Sequence, residues 1–306
     1  MGLFSRAKAI VNPQDDDLFG EGFLKRLEYL SIVSRKVFAG RMRAERRTKK
    51  SGSGIEFADH REYSPGDDIR YLDWQVYGRF GRLLLKLFEE EEDLPIYLIL
   101  DASSSMALGS PRKIDYAKKL VAALCYVGLA NLDRVSVVAV RDRVAATMPP
   151  ARGKGRIFKV FEFLRTIKPE GETGLGDAMR MFVAQNKRRG LAVLVSDLYD
   201  PAGFEQGINF LRFNRFDPFV LQVFDPVEVR PPLQGDLLLY DCETGESREV
   251  TVTPKVLERY AAAHAEYRRA IEEFCVSRQV PYQAAETTIP FDDLILRVLR
   301  RGGMVA

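Results

Sequence analysis

The sequence predicts an α/β fold: a doubly wound, mostly parallel sheet flanked by helices, preceded by an N-terminal helix and a β-rich accessory segment. Three observations predict it. After Leu94-Pro95, short apolar runs alternate with longer stretches of helical periodicity, the pattern of βαβ units. Two of the apolar runs end in an aspartate, Leu98-Ile99-Leu100-Asp101 and Leu191-Ala192-Val193-Leu194-Val195-Ser196-Asp197. In open parallel sheets ligands bind beyond the carboxyl ends of strands, so those aspartates stand where function is expected. Residues 1–92 lack the alternation and form the accessory part, and residues 93–306 form the doubly wound domain.

Leu18, Phe19, Phe23, Leu24, Leu27, Leu30, Val33, Val37 and Phe38 share one face of an amphipathic helix. The basic run Arg41–Lys50 follows, then the loop Ser51-Gly52-Ser53-Gly54. No aromatic residues interleave with its charges, which favours a solvated linker over peripheral contact with a membrane or another anionic surface through residues 41–50. From Ile55 to Phe88 the pattern is extended and turn structure, with a tight turn at Ser64-Pro65-Gly66-Asp67 and a strand face at Leu83, Leu85 and Leu87. Arg61, Asp67, Asp68, Arg70, Asp73 and Arg79 lie near Tyr63 and Trp74 in the chain. Opposed charges beside aromatic rings read as a hydrogen-bonded structural brace, and no nucleophile with an attached base is among them. Glu89–Asp93 reads as a charged surface run before the core.

Strands are expected at 95–101, 134–141, 191–197, 218–224 and 280–285. Helices are expected at 112–130, 154–167, 175–187, 203–213, 254–278 and 290–300. Pro111, Pro254 and Pro290 suit first turns, and Thr253 suits a helix cap. Leu237–Asp241 and Arg248–Val252 flank Thr244-Gly245, which predicts an inserted hairpin near 236–252.

Composition bounds the function. The 306 residues carry 46 Lys and Arg against 43 Asp and Glu, a net charge of +3, which gives no global nucleic-acid footprint. The uncharged stretch Leu120–Leu132 is too short to span a bilayer. Met1–Arg6 opens no secretory signal. Cys125, Cys242 and Cys275 are widely spaced, without a Cys-x-x-Cys pair, so the expected compartment is a reducing cytoplasm with neither zinc nor a disulfide framework.

Asp101, Ser103 and Ser105 can turn three oxygens toward one point, and the run holds no soft ligand. Such a point suits a hard divalent cation, Mg²⁺ or Mn²⁺. Thr173, in Gly171-Glu172-Thr173-Gly174, and Asp197 supply matching oxygens from two later segments. The same residue types also cap helices and satisfy turn amides, which is the alternative role for them.

These residues resemble the metal-ion-dependent adhesion site of von Willebrand factor A domains, in which an Asp-x-Ser-x-Ser loop, a Thr and a further Asp hold Mg²⁺. Asp101, Ser103, Ser105, Thr173 and Asp197 match its positions. Gly54-Ile55-Glu56-Phe57, Arg61 to Arg70 and Asp73-Trp74 resemble the signature of the domain-of-unknown-function 58 family. Those are bacterial von Willebrand factor A-like proteins found alongside MoxR-type AAA ATPases. The resemblance implies a fold of that type, a bound Mg²⁺, Asp197 acting through water, and a MoxR-type ATPase or client protein engaged through an acidic side chain.

An enzyme is the competing class. A phosphohydrolase could use Asp101 as nucleophile, but Ser103 stands two residues on, where such chemistry needs an acid. His60 and His264 lie in no recognisable triad context, and Arg152-Gly153-Lys154-Gly155-Arg156 does not fit Gly-x-x-x-x-Gly-Lys-Ser/Thr. The expectation is therefore a binding module, with any ATP consumed by a partner.

Overall fold

Tyr97 and Ile99 face one side of the central strand and Leu98 and Leu100 the other, and all of them are buried. A strand apolar on both faces belongs inside a sheet that is covered on both faces. The computed structural model describes residues 18–38, 47–50, 56–91 and 95–300. In chain order the elements are α1 (Glu21–Phe38), β1 (Arg47–Lys50), β2 (Glu56–Glu62), α2 (Trp74–Phe80), β3 (Leu84–Glu91), β4 (Pro95–Asp101), α3 (Lys113–Ala130), β5 (Arg134–Val140), β6 (Val144–Ala151), α4 (Ile157–Thr166), α5 (Leu175–Gln185), β7 (Leu191–Ser196), α6 (Glu205–Phe213), β8 (Asp217–Phe224), α7 (Pro226–Val229), β9 (Gly235–Tyr240), β10 (Ser247–Val252), α8 (Pro254–Ser277), β11 (Tyr282–Glu286) and α9 (Phe291–Arg300).

The main sheet runs β11-β8-β7-β4-β5-β6, parallel throughout except for β6, which pairs antiparallel with β5. From β4 the chain moves outward to β5 and β6 and then returns to β7 on the other side of β4. The strand order therefore reverses between β4 and β7, the place where such sheets open a binding crevice. Leu100 pairs with Val195, so Asp101 and Ser196-Asp197 end adjacent strands at that crevice.

Helices α3, α4 and α9 pack on the face of Leu98, Leu100, Val137 and Val193, while α5, α6 and α8 cover Ile99, Val138, Leu194 and Val220. Helix α1 and the turn before it, grouped by sequence with the accessory part, bury Phe19, Phe23, Leu27 and Leu30 in the first of these layers. Phe19 stacks on Phe161 with ring centroids 4.5 Å apart. Strand and helix bounds after Pro95 agree with the sequence pattern to within a few residues, apart from the unanticipated β6 and the short α7. Thr253 caps α8, accepting from the N–H of Val256 at 3.3 Å, with Pro254 in its first turn. Pro111, by contrast, precedes the capping residue Arg112 of α3. The inserted hairpin is β9–β10.

The accessory part is a three-stranded antiparallel sheet, β1-β3-β2. Its register sets Lys49 opposite Glu89 and Arg47 opposite Glu91. Glu89–Glu91 of the charged run 89–93 close strand β3, and residues 92–93 lie outside the described residues. Residues 41–46 of the basic run lie outside the described residues.

The expected brace is only partly a brace. Arg70 pairs with Asp68 on the surface, its side chain 80% exposed, and Trp74 is itself exposed, with Ile69, Tyr77 and Phe80. A surface pair contributes ~0–1 kcal/mol, so Arg70 is not a keystone. Asp73 holds the segment instead. Its Oδ1 caps α2, accepting from the N–H groups of Gln75 (3.0 Å) and Val76 (3.2 Å), and its Oδ2 lies 3.0 Å from His60 Nε2. The hydrogen bond to His60, joined by those two amides and by Lys86, holds the Asp73 carboxyl down at about 2 despite desolvation. An acid whose folded value lies below its unfolded one stabilises the fold above the unfolded value and loses that contribution as pH falls through the folded one. The wild-type advantage in melting temperature over Asp73→Asn should therefore be full at about pH 5 and shrink toward about pH 2. A gap constant with pH would contradict this account of Asp73.

Candidate functional site

Strand β4 ends in Asp101, and the chain turns at once into a 3-10 turn, Ser104–Ala107. Asp101 is fully buried. Its Oδ1 accepts from the N–H of Ser103 at 2.9 Å and its Oδ2 from the hydroxyl of Ser196 at 2.5 Å. Desolvation, with the negative charge of Asp197 adding to it, pushes the Asp101 carboxyl up to about 7. Ser103 Oγ and Ser105 Oγ are 3.0 Å apart and hydrogen-bonded to each other. Asp101, Ser103 and Ser105 are thus gathered in one buried turn.

Thr173 comes from the loop before α5. Backbone bonds from Ser104 N to Gly171 O and from Glu170 N to Ala102 O, both 2.9 Å, fasten this loop to the Asp101 turn. Asp200 accepts from the N–H of Leu175 at 2.7 Å and so fixes the start of α5. The Thr173 hydroxyl does not point to an empty place: it donates to Glu243 Oε1 at 2.7 Å, and the Thr173 N–H donates to Glu243 Oε2 at 2.9 Å. Glu243 sits in the turn of the β9–β10 hairpin.

Asp197 follows β7 and is also fully buried, with a partner that sequence reasoning missed. Lys113, the first residue of α3, donates from Nζ to Asp197 Oδ2 at 2.7 Å and makes a second, very short contact with Glu228. Lys113 is completely buried, and its Nζ lies 5.2 Å from the centre of the Tyr199 ring. Burial opposes its charge, but Asp197 and Glu228 outweigh burial and hold the ammonium above its ordinary range. Glu228 is positioned by a capping box on α7, accepting from Asp225 N at 3.0 Å. The carboxylate of Asp197 is therefore already matched by a cation, whereas Asp101 has hydrogen bonds alone.

These donors have a definite chemistry. Among the described residues no three His, Cys, Asp or Glu side chains gather as ligands, so a cation here would depend on hydroxyls. Neighbouring oxygens around a six-coordinate Mg²⁺, at 2.0–2.1 Å from the ion, are about 2.9 Å apart, close to the Ser103–Ser105 spacing. A buried carboxyl beside such a hydroxyl pair fits a hard cation, which would supply the charge that Asp101 lacks. The two histidines lie elsewhere: His60 meets Asp73, and His264 Nε2 meets the Tyr199 hydroxyl at 3.0 Å. Beside the Thr173 loop lies an open groove of about 860 Å³ of mixed charge, with Arg141, Arg143 and Lys168 set among Asp142, Glu170, Glu172 and Glu243. Among the described residues no helix is long and apolar enough to cross a membrane.

Comparison with known proteins extends along most of the chain. Uncharacterized protein Rv1480 of Mycobacterium tuberculosis strain H37Rv is 26% identical over 272 residues, covering 86% of each chain. Uncharacterized protein MAV169 of Mycobacterium avium is 30% identical over 151 residues, 47% of this chain and 89% of that one. Among solved structures, an aerotolerance-related membrane protein from Bacteroides fragilis shares 18% identity at a TM-score of 0.44, covering 68% of this chain and 97% of its own. The conserved hypothetical protein BatB from Bacteroides thetaiotaomicron shares 14% at 0.42, with coverage of 68% and 98%. The family described as Protein of unknown function DUF58 matches residues 59–270, from the accessory sheet into α8, and the chain belongs to that family.

Proposed function

We propose that this protein is a metal-dependent protein-interaction module. One Mg²⁺ or Mn²⁺ is held by Asp101, Ser103, Ser105 and Thr173, with Asp197 acting through water, and an acidic side chain of a partner completes its shell. The observation that carries the reading is Asp101, a fully buried carboxyl beside a hydroxyl pair at octahedral spacing and without a cation of its own. Because Lys113 already matches Asp197, Asp101 rather than Asp197 is the strand-end carboxylate left to bind the ion directly. Neutral hydroxyls leave the ion residual positive charge, and a carboxylate is the partner group that such an ion prefers.

The family resemblance supplies the rest of the reading: a cytoplasmic adaptor working with a MoxR-type AAA ATPase, or with that enzyme's client, in the assembly or maturation of another complex. The phosphohydrolase alternative has less support. Ser103 occupies the position where the acid is needed.

Calorimetry with a purified MoxR-type ATPase tests the proposal. Thr173→Ala removes a neutral ligand without adding charge, so the fold should survive while partner affinity falls roughly tenfold or more in Mg²⁺, and less in EDTA. Equal affinity for wild type and variant in both Mg²⁺ and EDTA would sink the metal-bridged mechanism even if the proteins bind.

A further inference from the structure

Among the described residues the β9–β10 hairpin is paired only with itself in the sheet pattern, and Leu238, Leu239 and Tyr240 are exposed along it. An isolated two-stranded hairpin has little stability of its own, so what fastens its tip matters. Asp241 shapes the turn: its Oδ1 accepts from the N–H groups of Glu243 (2.8 Å) and Thr244 (2.9 Å). Gly245 closes the turn at φ 74°, in the left-handed region. The half-buried Glu243 then reaches across 70 residues of sequence and takes both donors of Thr173, hydroxyl and N–H, one with each carboxylate oxygen.

A pair of N–H and O–H donors on one residue is a fitted receptor for a single carboxylate. We propose that Glu243 is an internal pseudo-ligand: it occupies the carboxylate position at Thr173 that an acidic side chain of the partner takes, so the hairpin closes the site in cis until a partner lifts it. This inference rests on the acidic-partner reading above and adds its regulation. A tethered carboxylate acts at an effective concentration in the millimolar range, so a free carboxylate of equal intrinsic affinity competes poorly with it.

The test uses the full chain, with acetate as probe, in EDTA and in Mg²⁺. Amide-resolved NMR follows the Thr173 N–H during acetate titration of wild type, Glu243→Gln and Glu243→Ala, and hydrogen exchange follows residues 235–252. In Glu243→Ala the hairpin amides should exchange faster, and the acetate concentration needed to shift the Thr173 amide should fall about tenfold or more. Glu243→Gln, which keeps one acceptor oxygen, should fall between. Identical exchange and identical acetate response in wild type and Glu243→Ala would overturn the proposal. Mn²⁺ affinity measured on the same proteins separates the two readings. Acetate competition without Mn²⁺ binding would support the latch and end the metal reading. Mn²⁺ binding with no effect of Glu243 would overturn the latch and leave the metal reading standing.

Discussion

Lys113→Met should destabilise the protein by about 3–5 kcal/mol, a large effect for a single surface-type residue. The lysine is completely buried, donates to Asp197 at 2.7 Å and also meets Glu228. Methionine fills much of the same volume but strands two carboxylates around it, one of them fully buried. Removing one partner of a buried ion pair costs more than the pair itself is worth, because the remaining charge keeps its desolvation penalty. Adding Asp197→Asn to Lys113→Met should therefore recover part of the loss, since it removes the stranded charge. Urea unfolding of the three proteins checks this. A loss below about 1 kcal/mol for the single variant would mean that water reaches Asp197 and that the ion pair does not organise the crevice.

Mg²⁺ at about a hundred times its dissociation constant should stabilise the wild-type fold by ~2.7 kcal/mol, and Asp101→Ala should abolish the gain. The reason is the position of Asp101: burial and Asp197 raise its carboxyl to about 7, and a cation beside it favours the ionised form. Protons and metal compete for the same oxygens, so the gain should shrink as pH falls below about 7. Thermal unfolding across a Mg²⁺ titration measures it. An unchanged transition would return Asp101 to the role of a turn-forming residue.

What the sequence made legible was the part governed by local pattern. The apolar runs ending at Asp101 and Asp197 located the crevice, because strand ends in a parallel sheet converge wherever the strand order reverses. Lys113 was not legible, since a lysine opening a helix normally lies in water, and only the fold brings it to Asp197, 84 residues away. Glu243 is 70 residues from Thr173 and lies in a turn that reads as a solvated connection. Strand β6 was hidden by Pro149 and Pro150, which sheets tolerate only at an edge such as this one. Helix α2 shows no buried stripe, so periodicity could not find it. Its signals were the caps, Asp73 before it and Gly81, at φ 67°, after it.

Electron paramagnetic resonance of Mn²⁺ titrated into the purified protein shows whether the Asp101 turn holds a divalent cation. The wild type should bind one ion per chain, displaced by excess Mg²⁺ and lost in Asp101→Ala. Binding should weaken in Ser103→Ala, which removes one hydroxyl of the pair spaced at 3.0 Å. Mn²⁺ that stays free beside the wild-type protein, or binds as well to Asp101→Ala, would contradict the metal site.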